Sequence, residues 1–151
     1  MSYITADTVW PEPTIPKPFR ALVEKILELG DSNDADAASR MAVEVFSPDG
    51  VFDHGSYKFV GRQEISNSRS KPKPGSKMIR RKHHVSRAYS QTARGDDFVV
   101  LGEVDVEFEN GTTVHNQFAA RAVVDQSTID SAPRLALWAM YIASFPPAFP
   151  T

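Results

Sequence analysis

Cysteine is absent from the 151 residues. That excludes disulfides, iron–sulfur ligation and thiol catalysis, and it fits a reducing, cytoplasmic setting. Long apolar runs are absent as well. No stretch reaches about 18 residues, so no membrane span is expected, and the N-terminus lacks the basic start and apolar core of a secretory signal. Charge of one sign is missing too: 17 basic and 19 acidic residues leave a formal net charge of −2, which offers no footprint for nucleic acid or a membrane surface. No glycine-rich phosphate loop and no nucleophile elbow occurs. Metal binding would have to rest on four histidines and the carboxylates. Two of the histidines, His83 and His84, are adjacent, so on a strand they point to opposite faces and make no zinc motif. No metal and no cofactor is expected. The basic stretch from Lys71 to Lys82 is interleaved with prolines rather than aromatics, and reads as a solvated loop followed by a paired strand.

What is present is enough for one core. The chain is 41% hydrophobic, and its length is that of a single domain. Residues 1–18 form a proline-rich lead-in, expected to be extended; Trp10 either docks on the domain or sits on a loose tail. Residues 19–151 are expected to be the domain itself. Pro18 opens a first helix in which Phe19, Leu22, Val23, Ile26 and Leu27 follow helical spacing, and Gly30 is expected to end it. A second helix is expected from Asn33 or Asp34, through Ala38, Met41, Ala42, Val45 and Phe46. Ser47-Pro48-Asp49-Gly50 has the chemistry of a turn. A short hairpin follows, Val51–Asp53 returning over Tyr57–Val60, then a short helix over 61–70 and a loop over 71–77. Strands are expected over 78–90, 97–109, 112–124 and about 134–145. Helices followed by a long meander give an α+β order.

Asn110-Gly111 between two strands signals a two-residue hairpin. Simple pairing then sets Phe108 opposite Thr113, Val106 opposite His115 and Val104 opposite Gln117. Pairing Tyr89 with Phe98 sets His83 opposite Val104 and Arg81 opposite Val106. The other face then carries Arg80–Glu107, Lys82–Asp105 and His84–Glu103, three opposite-charge pairs in a row, each stabilising by about 0.2–1 kcal/mol. The mostly apolar face is taken as inner. Arg81, His83, His115 and Gln117 interrupt it, and clustered polar groups in a core suggest a ligand cavity. On the outer face this register exposes Val114, Phe118, Ala120, Ala122 and Val124, a stripe that suggests a homodimer.

Asp34-Ala35-Asp36, Phe46-Ser47-Pro48-Asp49-Gly50-Val51-Phe52-Asp53 and Gly61-Arg62-Gln63-Glu64-Ile65 carry a resemblance to the nuclear-transport-factor-two superfamily over about residues 19–145. It implies a cone-shaped α+β barrel, with helices packed into a strongly bent antiparallel sheet around one pocket. Within it the chain looks closest to SnoaL-like polyketide cyclases and isomerases and to scytalone dehydratase, in the style of small fungal enzymes of polyketide and meroterpenoid pathways. By that resemblance Asp53 falls on a catalytic carboxylate position and Lys82-His83-His84-Val85 on the strand bearing a catalytic histidine, at His83. His115 and Gln117 fall on polar substrate contacts. The second catalytic histidine of the dehydratase has no counterpart near Glu109 or Asn110.

The residues themselves leave two readings open at each position. Asp53 is a base or acid at the pocket mouth, or the cap of a turn. His83 shuttles protons, or packs against a backbone carbonyl. His115 binds substrate or acts as second acid. Gln117 and Arg81 hold a ketone or enolate oxygen, or Arg81 emerges at the rim. Tyr57 and Trp138 wall a flat ligand or are plain core. His54 is expected to face solvent. The expected function is acid–base isomerisation, cyclisation or dehydration of a small polycyclic ketone or phenol; the alternatives are a small-molecule binding domain and an association domain.

Overall fold

The computed structural model describes residues 2–70 and 77–143. The elements are α1 (Lys17–Asp31), α2 (Ala37–Glu44), β1 (Phe46–Asp53), β2 (Lys58–Val60), α3 (Gly61–Ser66), β3 (Met78–Ser90), β4 (Asp97–Phe108), β5 (Thr113–Val124), a short 3₁₀ turn (Gln126–Thr128) and β6 (Leu135–Ala143). The loop expected over 71–77, apart from Lys77, and the last two residues of the strand expected to reach 145 lie outside the described residues.

Pro16 and Pro18 flank the first residue of α1, where a missing backbone N–H is harmless. Phe19, Leu22, Val23, Ile26 and Leu27 form its buried stripe. The helix continues past Gly30 to Asp31. Arg69 then satisfies its last carbonyls, donating to Leu29 at 2.7 Å, Gly30 at 3.1 Å and Ser32 at 2.7 Å. The extra residue has a consequence: it extends the row Val23–Leu27 by four, which puts Asp31 on the buried side. The second helix starts at Ala37, later than its acidic lead-in suggests, and α3 stops at Ser66 rather than near 70.

Ser47–Gly50 does not close a turn. It is a bulge within β1, whose register with β6 shifts between Phe46 and Val51. The sheet runs β2-β1-β6-β5-β4-β3, antiparallel except for β1 beside β6, and it is not closed into a barrel. The helices cover one face. Phe46, Phe98, Trp138, Leu135 and Ile26 meet there in the core. The architecture is an α+β cone.

Between β3 and β4 the register is as the charges indicated: Arg80 opposes Glu107, Lys82 opposes Asp105, and His84 opposes Glu103. Past Val85 a bulge leaves Ser86 unpaired, so Tyr89 opposes Val99, not Phe98, and turns outward. Between β4 and β5 the expectation fails by one residue. The Gly111 N–H bonds Phe108 O at 2.9 Å, and Phe108 N–H bonds Thr112 O at 2.9 Å. The loop therefore holds three residues, Glu109 to Gly111, with Gly111 at φ 84°. That added residue slides every pair: Glu107 opposes Thr113, Asp105 opposes His115, Glu103 opposes Gln117 and Gly102 opposes Phe118. Because side chains alternate, one residue of slip inverts the faces of β5. Val114, Phe118, Ala120, Ala122 and Val124 point inward, with Phe118 only 4% exposed. His115 and Gln117 point outward. The apolar outer stripe that suggested a homodimer around Phe118 is therefore core.

The lead-in is not a loose tail. Ile4 and Ile15 are fully buried, and Trp10 packs on the core with the Arg20 guanidinium 4.7 Å from its ring centre. The segment lies along the edge of β3 at the Ser86 bulge. Val85 N–H bonds Ile4 O at 2.8 Å, Val9 N–H bonds Ser86 O at 3.0 Å, and Ala88 N–H bonds Val9 O at 3.1 Å. These bonds occupy groups that an open sheet edge would otherwise present.

Candidate active site

Six lateral rows cross the inner face of the cone. One of them is Trp138–Ala122–Phe98–Ser90; toward the other end stands the row His83–Val104–Asn116, followed by Arg81–Val106–Val114. His83, Asn116 and Arg81 thus lie on two adjacent rows.

His83 is held from the helix layer. Its Nδ1 lies 2.5 Å from Asp31 Oδ1, and its backbone N–H donates to Asp31 Oδ2 at 2.9 Å. The histidine and aspartate side chains are 10% and 6% exposed. A carboxylate only accepts, so the proton in this contact is on Nδ1, and in the neutral ring the lone pair is then on Nε2. The Phe118 ring stands edge-on to the imidazole, centres 5.3 Å apart and planes at 80°. Gly102 makes room for it: a Cβ there would lie 2.8 Å from the Phe118 ring and 2.2 Å from His84 O. Arg81 shares the face two residues along β3. Burial pulls its pKa down first, the like charge of Arg69 does so next, and Asp31 opposes both. Asn116, on β5 two strands from His83, adds an amide to the same row.

Phe118 also forms part of an open cleft of about 730 Å³, with Met140, Ile142 and the turn His54-Gly55-Ser56. The cleft opens where β1 ends and β6 runs on. Phe118 thus borders both this cleft and His83.

The other expected site residues lie elsewhere. Asp53 shares a row with Ala139, Arg121 and Val99, on the outer face, and its Oδ1 caps the turn by accepting Gly55 N–H at 2.9 Å. The structure thus separates Asp53 from His83 by the thickness of the sheet. His115 is outside, bonded through Nδ1 to Asp105 Oδ1 at 2.7 Å, with Glu103 Oε2 3.7 Å from Nε2. That hydrogen bond pushes its pKa up. Gln117 stands beside it in sequence order on the same face and touches the cleft only from its rim. Tyr57 is 49% exposed in the β1–β2 turn, and Trp138 is wholly buried, its Nε1 without a hydrogen-bond partner among the described residues. Of the seven expected residues, His83 and Arg81 are brought together. Asp31 and Asn116 join them unannounced. Both were readable in principle, Asp31 by extending the helical row and Asn116 by alternation with Phe118.

No family model and no curated protein matches the sequence. Solved structures do match. A nuclear transport factor 2-like superfamily protein from Salmonella enterica serovar Typhimurium is 14% identical with a TM-score of 0.63, covering 91% of this chain and 97% of that one. The fold is nuclear transport factor 2-like. ActVI-ORFA from Streptomyces coelicolor has the same fold, at 16% identity and a TM-score of 0.62 over 83% of this chain and 94% of that one. So does a ketosteroid isomerase-like protein from Erwinia carotovora, at 14% and 0.58 over 83% and 93%. A nuclear transport factor 2-like cone places its helices against the concave side of the sheet, which is where His83 and Asp31 meet. Among the described residues no group of three histidines, aspartates or glutamates gathers as metal ligands, and no helix is long and apolar enough to cross a membrane.

Proposed function

We propose that the chain is an isomerase, cyclase or dehydratase that works by acid–base chemistry on a small polycyclic ketone or phenol of secondary metabolism, with no cofactor. The observation that carries this reading is the buried His83–Asp31 pair on the apolar inner face. Asp31 takes the place that the sequence suggested for Asp53. His83 Nε2 removes a proton next to the substrate carbonyl. Arg81 and Asn116 donate to the oxygen that becomes an enolate, and the imidazolium, steadied by Asp31, returns the proton elsewhere. The ring of Phe118 packs against the flat substrate, which enters by the cleft beside Met140 and Ile142. The setting is the cytoplasm, in keeping with a cysteine-free chain.

The likenesses to ActVI-ORFA and to a ketosteroid isomerase-like protein support this reading at the level of fold. Turnover of cyclic ketones tests it. Activity should survive a chelator, and His83→Ala should lower the rate by about 10²–10⁴, the usual worth of a general acid or base. The cleft favours a second reading, a binding domain. In that case ligands bind and no proton is exchanged. The partner proposed for the outer face is a second copy of the chain, through the row Leu101–Ala119–Tyr141, where Tyr141 is 65% exposed. Sedimentation at micromolar concentration checks this: Tyr141→Glu should split a dimer, and a wild-type monomer would refute it.

A further inference from the structure

The lead-in reaches the dyad. Tyr3 Oη donates to Asp31 Oδ2 at 2.8 Å, on the same oxygen that accepts the His83 backbone N–H. Asp31 therefore has three donors: two from His83 and one from a residue 28 positions earlier in the chain. The two His83 bonds come from one residue on β3. They already hold one carboxylate oxygen each; the Tyr3 hydroxyl adds a third donor, on Oδ2, from a separate segment of the chain.

Tyr3 is placed by what surrounds it. Ile4 is fully buried, and its carbonyl accepts Val85 N–H, two residues beyond His83. Ser2 Oγ donates to Glu28 Oε1 at 2.5 Å, and Thr5 Oγ1 donates to Glu24 Oε1, so the residues on either side of Tyr3 are tied to α1. The Lys82 ammonium lies 5.6 Å from the Tyr3 ring centre. Tyr3 is 44% exposed as a residue, but its hydroxyl reaches a carboxylate that is almost wholly buried. Burial first, then the hydrogen bond and the charge of Asp31, push the Tyr3 pKa up, so the hydroxyl keeps its proton and stays a donor.

We propose that Tyr3 is a positioning residue for the acid–base pair: its hydroxyl, carried in by the N-terminal segment, fixes the Asp31 carboxylate, which in turn fixes the tautomer and orientation of His83. The segment is then part of the site rather than a strap that only shields a sheet edge. The inference rests on the reading of His83 as the acid–base group. A tie serving stability alone would need no hydroxyl on the aspartate that orients the imidazole. Ile4, Ile15 and the three backbone bonds to β3 already hold the segment down.

Imidazole nitrogen NMR on the full chain tests it. In the wild type His83 should show a single tautomer, protonated at Nδ1, and the Tyr3 hydroxyl proton should exchange slowly enough to be seen. Tyr3→Phe should keep the slow amide exchange of Val85 and Ala88, which reports a docked segment, and yet mix the two His83 tautomers. On any ketone that is turned over, kcat should fall while KM holds. An unchanged His83 spectrum in Tyr3→Phe overturns the proposal. So does a freely exchanging Tyr3 hydroxyl in the wild type, a measurement that needs no variant to fold. A tautomer that unlocks in Tyr3→Phe, in a protein that exchanges no proton with any ketone, supports the positioning role and removes the enzymatic reading instead.

Discussion

The two faces of the sheet each carry a histidine bonded through Nδ1 to an aspartate, and the pairs have different surroundings. His83–Asp31 is on the inner face at 2.5 Å, with side chains 10% and 6% exposed. His115–Asp105 is on the outer face at 2.7 Å, with side chains 56% and 71% exposed. The first pair is assembled from two layers, its aspartate accepts from three donors, and an aromatic ring stands against its imidazole. The second is a cross-strand contact on neighbouring strands, bathed in water. Water screens the outer pair and offers substitutes for each partner, so it is worth little. The inner pair has no such substitutes, so each group depends on the other. Residue types and bond lengths alone do not separate the two; burial does.

Phe118→Ala should give the largest stability change. Phe118 is 4% exposed and bears on His83, and deleting such a ring costs about 3–5 kcal/mol. Chemical denaturation reads this directly. A loss near zero would return Phe118 to the outer face and with it the two-residue hairpin. Asp31→Ala comes next. It strands the His83 backbone N–H, the imidazole N–H and the Tyr3 hydroxyl, for a loss of about 2–3 kcal/mol. The matching change outside, Asp105→Ala, should leave the denaturation midpoint close to that of the wild type. Equal losses from the two substitutions would break the contrast between the faces.

The smallest effect is a pH dependence. The Asp105 hydrogen bond raises the folded pKa of His115 above its unfolded value of about 6.5. The stabilisation is therefore fully present below that value and fades as pH rises through the folded pKa. A melting profile across this window should show the shallow decline in wild type, and Asp105→Asn should flatten it.

How far the sequence could be read differs between the same two faces. The charge ladder Arg80–Glu107, Lys82–Asp105, His84–Glu103 set the β3–β4 register, because opposite charges on paired strands restrict it to one alignment. Among the described residues, Asp105 and Glu103 make their ion pairs with His115 on the next strand. The β4–β5 register hung on the loop. Asn-Gly suits a two-residue turn, but a three-residue loop with glycine at positive φ serves as well, and local chemistry does not choose between them. Burial decides it: Phe118, Ala120, Ala122 and Val124 have room only inside. That one residue moved His115 and Gln117 out of the site and brought in Asn116. Asp53 was misplaced because a strand-end aspartate two residues before a glycine serves as well for capping a turn as for catalysis. Asp31 was passed over because Gly30 was taken as the end of its helix. Tyr3 was out of reach of pattern reading, since its contact joins residues far apart in sequence.

The central claim is that His83, held by Asp31, moves protons at carbon. Deuterium uptake tests it most directly: 2-tetralone, a small bicyclic ketone, is incubated with the protein in D₂O and the hydrogens next to its carbonyl are followed by NMR. The account predicts uptake above the buffer rate, unaffected by a chelator, retained in His115→Ala, and reduced by about 10²–10⁴ in His83→Ala. Uptake at the buffer rate, or uptake equal in wild type and His83→Ala, would contradict it.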